Sequence, residues 1–599
     1  MIDFSTIYKY SIAFSLAVGT FISSCGTEKK SEVQQNRISR PGEYVGYSEA
    51  IYAEEYDISS QYVEMRDGVK LAVDIYRPKD KKTGEVIDTP LPVLWMHTPY
   101  NRRYSGDTEE KLTVDCYAGT ASELVKYGYV VATVDFRGLY GSFGHNEGFN
   151  RGEWVGPARN DAYDITEWLA VQPWSDGNIG MWGCSATGGS QMQAATTAPP
   201  HLKAMFPMSF DFDTYAFRVP GGIGNPSRWP QPDDGLTSQQ RRDRWAATVD
   251  GDEDSTLLKA AIKQHEGTIE SAGYVPFRDG YSDELTDEAS KQWWVKSSPS
   301  TYLDKINQSG IAMYMAVNWD EGYTKHGPYF AFNNITNPTK IIMGPGVHCD
   351  WFTAQDLTGF DILVEELRFF DYWLKGIDNG IMDEDPVYYF TYNAPKGEEW
   401  QTSQEWPLPE EKRVKYYLGE GSIATIQPTD GGQDETRVNY DFKPGTNGKG
   451  AIVYETEALS EDVQVTGHPE MSLWISSTAT DGDFVATIQD VAPDGSVSSY
   501  HIQGQLRASM RKQAEAPYNN LGLPYHSSNT SDEKLLVPGQ PTLLEFPILP
   551  ISMVFKTGHK IQLAISFAGR GTPKIEPAPK VTIYRDAEHP SYLVLPIIE

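Results

Sequence analysis

Residues 178–189 read NIGMWGCSATGG: a short apolar strand ending at Trp182, a turn between Gly183 and Gly188 that carries Ser185, and then a run rich in Gln, Met and Ala that reads as a helix. A serine hydroxyl attacks a carbonyl only if it is exposed and presented to a base, and a tight strand-to-helix turn achieves both. The stretch has the pattern of a nucleophile elbow, with Ser185 as the nucleophile. It departs from the common five-residue form, because Thr187 stands two positions after the serine and glycine comes third.

Working outward, the pattern on either side is strand alternating with helix. From Tyr62, YVEMRDGVKLAVDIYRP alternates apolar and polar residues about Asp67-Gly68, which predicts a hairpin. LPVLWM (91–96) and YVVATV (129–134) are short β-branched runs with the helix-like TASELVKYG between them. DAYDITEWLAV (161–171) has helical spacing and leads into the strand before the elbow. Further strands are predicted at 311–317 and 340–343, followed by an amphipathic helix, GFDILVEELRFFDYWLKG, that stops at Gly376. This alternation predicts a mostly parallel α/β sheet.

Two regions break the rhythm. After Pro207 comes a stretch rich in Trp, Asp, Arg and Gln, including RWPQPDDGLTSQQRRDRWAATVDGDEDSTLLKAAIKQ, which reads as an inserted helical cap over 208–308. Beyond about residue 396, short alternating runs such as MSLWISS, DFVATIQDV, HKIQLAIS and SYLVLPI are broken by Gly, Pro, Asn and Asp, as in an all-β sandwich. The expected organisation is therefore a hydrolase-type core in two parts, 59–207 and 309–395, the cap between them, and a sandwich over 396–599.

A catalytic serine needs a base within hydrogen-bond reach and a carboxylate to orient that base, and α/β hydrolases supply them in the chain order Ser, acid, His. Asp320 follows the strand IAMYMAVNW and His348 follows KIIMGPGV, so both fall where loops leave the carboxyl edge of the sheet. Ser185, Asp320 and His348 are thus expected to form a triad, with Asp320 orienting the histidine.

Composition narrows the partners. A net charge of −31, from 82 acidic against 51 basic residues, argues against a nucleic-acid partner. Cys25, Cys116, Cys184 and Cys349 show no CxxC or Cys/His ligand spacing, so neither a disulfide scaffold nor a structural zinc site is signalled. Cys184 and Cys349 adjoin Ser185 and His348 and read as small packing residues rather than a thiol switch. At the start, Lys9 and the apolar run SIAFSLAVGTFIS (11–23) form an export signal too short to span a bilayer. Ile22-Ser23-Ser24-Cys25 resembles a bacterial lipobox, which predicts a signal peptide over 1–24, lipidation of Cys25 and a polar tether over 25–58. The expected location is the periplasmic or cell-surface face of a membrane, most simply the outer membrane, with the body held there by its lipid anchor. The sequence leaves the oligomeric state open.

The residues from about 60 to the C-terminus resemble the CocE/NonD hydrolases, a family that includes cocaine esterase, α-amino acid ester hydrolases and X-Pro dipeptidyl-peptidases. DAYDITEWLAVQPWSDGNIGMWGCSATGG resembles the family's D-x-x-D-x-I-x-W-x-x-x-Q-P-W…G-x-S-Y-x-G segment. NWDEGY resembles its G-W-x-D segment, taken here to place the acid on Asp320, and IIMGPGVHCD its G-P-W-x-H segment, placing the base on His348. RFFDYWLKGIDNGIMDEDPVYYF resembles the link into the family's C-terminal jelly roll. The segment HTPYNRR resembles the one whose tyrosine donates to the oxyanion hole, which implies Tyr100 and the backbone N–H of Ala186 for that role. Ala186 and Gly346-Val347 stand where the family usually has bulkier aromatics, which widens the reactive centre.

The resemblance implies hydrolysis through an acyl-enzyme with no metal or organic cofactor and an acyl compound as substrate. Amino-ester hydrolases of the family hold the substrate ammonium with a carboxylate cluster. Glu321, Asp211 and Asp213 do not reproduce its spacing, so a carboxylic-ester hydrolase is favoured over an X-Pro peptidase, an amino-acid ester hydrolase or an acylase. A reading of another class is a surface glycan-binding lipoprotein whose hydrolase domain is inactive.

Overall fold

Asp67 and Gly68 turn the chain back on itself, and the hairpin they close begins the large sheet of this computed structural model. The structure describes residues 37–103, 121–145, 156–224, 235–266, 293–429, 432–441, 450–569 and 572–599. The expected signal peptide, Cys25 and the first part of the expected tether lie outside the described residues.

The described chain opens with a small antiparallel hairpin, β1 (Ile38–Arg40) and β2 (Glu43–Val45). The region from residue 37 is therefore not a free tether. The Gly42 N–H donates to Glu365 Oε1 at 2.8 Å, and Tyr44 Oη donates to Asp371, so the hairpin is docked on the helix Ile362–Lys375.

Ten strands follow in the main sheet among the described residues: β3 (Tyr56–Glu64), β4 (Lys70–Pro78), β5 (Leu91–Thr98), β6 (Val130–Asp135), β7 (Ser175–Cys184), β8 (Leu202–Met208), β9 (Ala312–Asp320), β10 (Thr339–Val347), β11 (Val387–Phe390) and β12 (Trp400–Ser403). Their spatial order is β12-β11-β10-β9-β8-β7-β5-β6-β4-β3. From β6 to β11 every neighbouring pair is parallel, while β3, β4 and β12 are antiparallel additions at the two sides. Central strands such as β9 are buried along nearly their whole length, as parallel strands covered on both faces must be. One correction concerns the boundary: β12 pairs with β11, so the α/β unit reaches past residue 396 to Ser403.

Helices Asp161–Ala170 and Ala186–Thr197 cover one face, and Ile362–Lys375 the other. The last helix comes so close to β7 that a Cβ on Gly180 would lie 2.9 Å from Leu374 and 3.1 Å from Phe370. Helix Ile362–Lys375 ends where predicted, with Gly376 left-handed at φ 66°.

In the described part of the insertion, Thr214–Arg218, Ser238–Asp243, Thr256–Gln264, Trp293–Ser297 and Leu303–Ser309 are short helices. One of its attachments to the core is polar and buried. The Arg102 guanidinium, fully excluded from solvent, pairs with Asp74 and Asp135 and also donates to the carbonyls of Ala247 and Thr248. A buried charge survives only when its hydrogen bonds are met in this way.

The C-terminal part is a two-sheet β-sandwich. In one sheet Glu411–Leu418, Tyr592–Ile598, Glu470–Ser477 and Lys580–Tyr584 run antiparallel side by side; in the other Ile452–Glu455, Lys560–Ser566 and Asp483–Val491 do so. Alternation is clear in Lys560–Ser566, where Ile561, Leu563 and Ile565 are buried between half-exposed neighbours. The sandwich is stitched to the α/β unit at Tyr392, whose N–H donates to the Ser552 carbonyl and whose carbonyl accepts from the Val554 N–H.

Candidate active site

The elbow is built from glycine geometry. Gly183 has φ 135°, and a Cβ there would sit 2.4 Å from Thr187 Oγ1; a Cβ on Gly188 would sit 2.2 Å from the Met208 carbonyl oxygen. Only hydrogen at those positions lets β7 pass directly into the helix Ala186–Thr197 with the neighbouring strand so near. Ser185 sits at the apex with φ 62° and ψ −124°, a conformation that L residues adopt only where the surroundings enforce it. Its N–H is held by the Met208 carbonyl at 3.0 Å.

Tyr100 Oη donates to Ser185 Oγ at 3.3 Å. The tyrosine is fixed by its own N–H, which donates to Thr98 Oγ1, and by the next residues of its loop. Asn101 Nδ2 donates to the Trp245 carbonyl at 2.8 Å, and Arg102 is locked in the charge network described above. Ala186 is the first residue of the elbow helix, and N–H groups of a first helical turn have no intrahelical acceptor. Tyr100, from the loop after β5, thus reaches Ser185, and Ala186 follows the serine in the elbow helix.

His348, the expected base, is held by a residue other than the one predicted. His348 Nδ1 donates to Glu321 Oε2 at 2.6 Å. Asp320 instead accepts, at 2.6 Å, from Nδ1 of His501, which belongs to the sandwich. The assignment of the acid to Asp320 is thus corrected to Glu321. The physical reason lies at the end of β9, where consecutive side chains point to opposite sides. Asp320, the last strand residue, turns toward the sandwich, and Glu321 turns inward beside the histidine loop. The G-W-x-D resemblance contained the signal: matched residue by residue onto Asn318-Trp319-Asp320-Glu321, its fourth position is Glu321.

Glu321 is completely buried and all its acceptor sites are used. Oε1 accepts from Ser209 Oγ and from the Asn318 N–H, both at 2.8 Å; Oε2 accepts from Thr324 Oγ1 and from His348. Burial works to raise this carboxyl, but His348, Thr324 and the Asn318 amide together outweigh it and hold the group below its ordinary value. Beneath it Lys325 is fully buried, donates to the Trp319 carbonyl at 2.7 Å, and is pushed down to about 7 by burial despite the attraction of Glu321 and Asp320.

The loop carrying His348 is anchored to the end of β9 through Asn318. Its Nδ2 donates to the carbonyls of Val347 and Asp350, both at 3.0 Å, and its Oδ1 accepts from the Gly346 N–H. The other side of the loop is anchored covalently: Cys184 and Cys349 form a disulfide, with Cα atoms 5.9 Å apart. These residues are not the packing cysteines expected from sequence. The bond joins the residue before Ser185 to the residue after His348, and so brings the elbow and the histidine loop together.

Asp211 and Asp213 serve the cap's own structure. Asp211 accepts from Thr214 Oγ1, while Asp213 caps the helix Thr214–Arg218 and accepts from Tyr518 Oη.

Residues 67–350 match the family described as X-Pro dipeptidyl-peptidase (S15 family), and residues 379–594 match the X-Pro dipeptidyl-peptidase C-terminal non-catalytic domain. Over residues 67–350 the chain has the pattern of the S15 family. The first of these matches takes in Tyr100, Ser185, Glu321 and His348, and the second takes in the sandwich. Among similar proteins, a Mycobacterium bovis protein named "Putative serine esterase Mb1866c" is 29% identical, with 90% of this chain and 95% of that protein covered. The cocaine esterase of a Rhodococcus species is 26% identical, with 91% and 99% covered. A solved CocE/NonD family hydrolase from Staphylococcus aureus superposes with a TM-score of 0.68 at 20% identity, over 91% of this chain and 94% of that one, and has the same fold.

Proposed function

We propose that this S15 serine hydrolase cleaves carboxylic esters through an acyl-enzyme, with Ser185 as nucleophile, His348 as general base and acid, and Glu321 as the residue that orients the imidazole. The observation that carries this reading is the 2.6 Å contact from Glu321 to His348 Nδ1, on a loop bonded to the serine elbow. With Nδ1–H committed to Glu321, Nε2 is left as the basic nitrogen. His348 takes the Ser185 proton as Oγ attacks the carbonyl and returns it to the leaving group; the buried carboxylate stabilises the imidazolium formed between the two events. Tyr100 Oη and the Ala186 N–H donate to the developing oxyanion. Water then attacks the acyl-enzyme by the same route.

Esters are favoured over X-Pro peptides as substrates for two reasons. The relatives with esterase names are 29% and 26% identical, against 21% and 22% for those named Xaa-Pro dipeptidyl-peptidases, and the carboxylates considered for a substrate ammonium are already engaged, Asp211 with Thr214, Asp213 with Tyr518 and Asp320 with His501. A fluorophosphonate probe tests the nucleophile: labelling of the wild type that is lost in Ser185→Ala supports it, and labelling that survives the substitution removes it. A panel of aryl esters, acylated sugars, amino-acid esters and X-Pro amides tests the substrate class, with preference for the X-Pro amides overturning the ester assignment.

The same proposal places the protein outside the cytoplasm, tethered through lipidated Cys25. The lipobox-like sequence supports this, and so does the disulfide, since such bonds persist in oxidising compartments. Recovery of Cys25→Ser in the soluble fraction, with the wild type in the membrane fraction, is the expected outcome; equal partitioning of the two would contradict it.

A further inference from the structure

Strand β7, which ends in Cys184, and strand β10, which leads to Cys349, are not neighbours: β8 and β9 lie between them. Adjacent strands are about 4.8 Å apart, so the two strand axes are separated by roughly 14 Å. The cysteine Cα atoms nevertheless stand 5.9 Å apart, across 165 residues of chain. The histidine loop therefore has to lean over the ends of two strands to reach the elbow. The hydrogen bonds from Asn318 and Glu321 fasten that loop to the end of β9, and the disulfide fastens it to β7. Both sides of the link carry non-glycine residues in the left-handed region, Ser185 at φ 62° and Cys349 at φ 63°. Such conformations persist where surrounding structure over-determines them. Cys184 is buried and Cys349 is partly exposed.

We propose that the Cys184–Cys349 disulfide is a positioning element of the active site, and that hydrolysis depends on its being closed. The inference rests on the serine-hydrolase reading of Ser185 and His348. Reduction by a dithiol supplies two electrons and two protons: the S–S bond breaks, Cys184 and Cys349 become thiols, and the reductant's two sulfurs close into its own disulfide. The histidine loop then keeps its anchors on β9 but loses the one on β7, and the distance from the imidazole to Ser185 Oγ is no longer fixed. A misplacement of about 1 Å at a reacting centre costs on the order of 10²-fold in rate. The enzyme would thus be fully active only in an oxidising compartment and slow wherever thiols are kept reduced.

The test uses the full-length chain and an aryl ester, before and after treatment with dithiothreitol, with thiols counted by alkylation and mass spectrometry and the fold followed by circular dichroism. The expected result is two additional thiols, an unchanged fold, a fall in kcat of about tenfold or more with KM within about twofold, and recovery on reoxidation. The variant Cys184→Ala/Cys349→Ala should show the reduced enzyme's kcat and ignore dithiothreitol. Its pH–rate profile should be displaced from that of the oxidised wild type, which a purely structural staple would leave in place. Full kcat in a folded enzyme with both thiols exposed would overturn the inference. So would unfolding of both the reduced protein and the double variant, which would make the bond a staple of the fold. If the oxidised wild type neither hydrolyses esters nor labels with fluorophosphonate, the serine-hydrolase reading itself fails; if it does both and reduction changes nothing, only the positioning role fails.

Discussion

Asp320 and Glu321 are adjacent in the chain, and each holds a histidine Nδ1 at 2.6 Å, yet the two pairs are different objects. The Glu321 side chain has no exposure and accepts four hydrogen bonds; that of Asp320 is 26% exposed, and its partner His501 is 54% exposed at the junction with the sandwich. An exposed contact of this kind is screened by water and is worth about 0–1 kcal/mol. A buried carboxylate with every acceptor site filled can only stay where it is, because moving it would leave several donors unpaired. Residue type and chain order alone do not distinguish such neighbours; burial and the number of partners do. Glu321 is equipped to orient a catalytic base, and Asp320 to join two domains.

The largest effect expected is for Ser185→Ala, which should lower kcat toward an aryl ester by about 10⁶-fold with the fold intact. A loss below about 100-fold would move the nucleophile elsewhere and leave the Glu321 pair without a catalytic partner. Tyr100→Phe should cost about 10²-fold in kcat with little change in KM, measured by steady-state kinetics. An increase confined to KM would make the tyrosine a binding residue only.

Lys325, beneath both carboxylates, sharpens the comparison through stability. Its ammonium is held near 7 in the folded protein against an ordinary value of 10.5, so protonation opposes folding. The penalty is complete below about pH 7 and is relieved as pH rises toward 10.5, where the unfolded chain also loses its proton. Measured by denaturant unfolding at several pH values, the wild type should therefore gain stability relative to Lys325→Met between pH 7 and 10. A constant difference would mean that the lysine keeps its ordinary value in the fold and stays charged across that range. The smallest effect belongs to His501→Ala, which should change kcat by less than about fivefold and stability by no more than about 1 kcal/mol. A larger loss of activity would bring the exposed pair into the chemistry.

Much of this was legible before any coordinates. The glycines of 183–188, the apolar runs at 91–96, 129–134 and 311–317, and the Ser-to-His order mark the elbow turn and the loop that carries His348, because each rests on a local pattern that the fold enforces. The acid was misplaced by one residue, since the end of a strand marks the neighbourhood of a functional carboxylate but not which of two consecutive side chains faces inward. The disulfide was invisible for another reason. Cys184 and Cys349 are 165 positions apart, and only the folded chain, in which the loop after β10 leans over the ends of β9 and β8 to the elbow, brings them together. The hairpin at 38–45 and the edge strand Trp400–Ser403 were hidden likewise: each is short and polar and is defined by its partner rather than by its own pattern.

The most direct test of the account is the pair of isosteric substitutions Glu321→Gln and Asp320→Asn, compared by kcat on one aryl ester with the fold of each verified by circular dichroism. Neutralising the residue that orients the histidine should cost about 10⁴-fold, so Glu321→Gln should nearly abolish turnover while Asp320→Asn stays within about fivefold of the wild type. Collapse of Asp320→Asn with Glu321→Gln still active would contradict it and return the acid to Asp320.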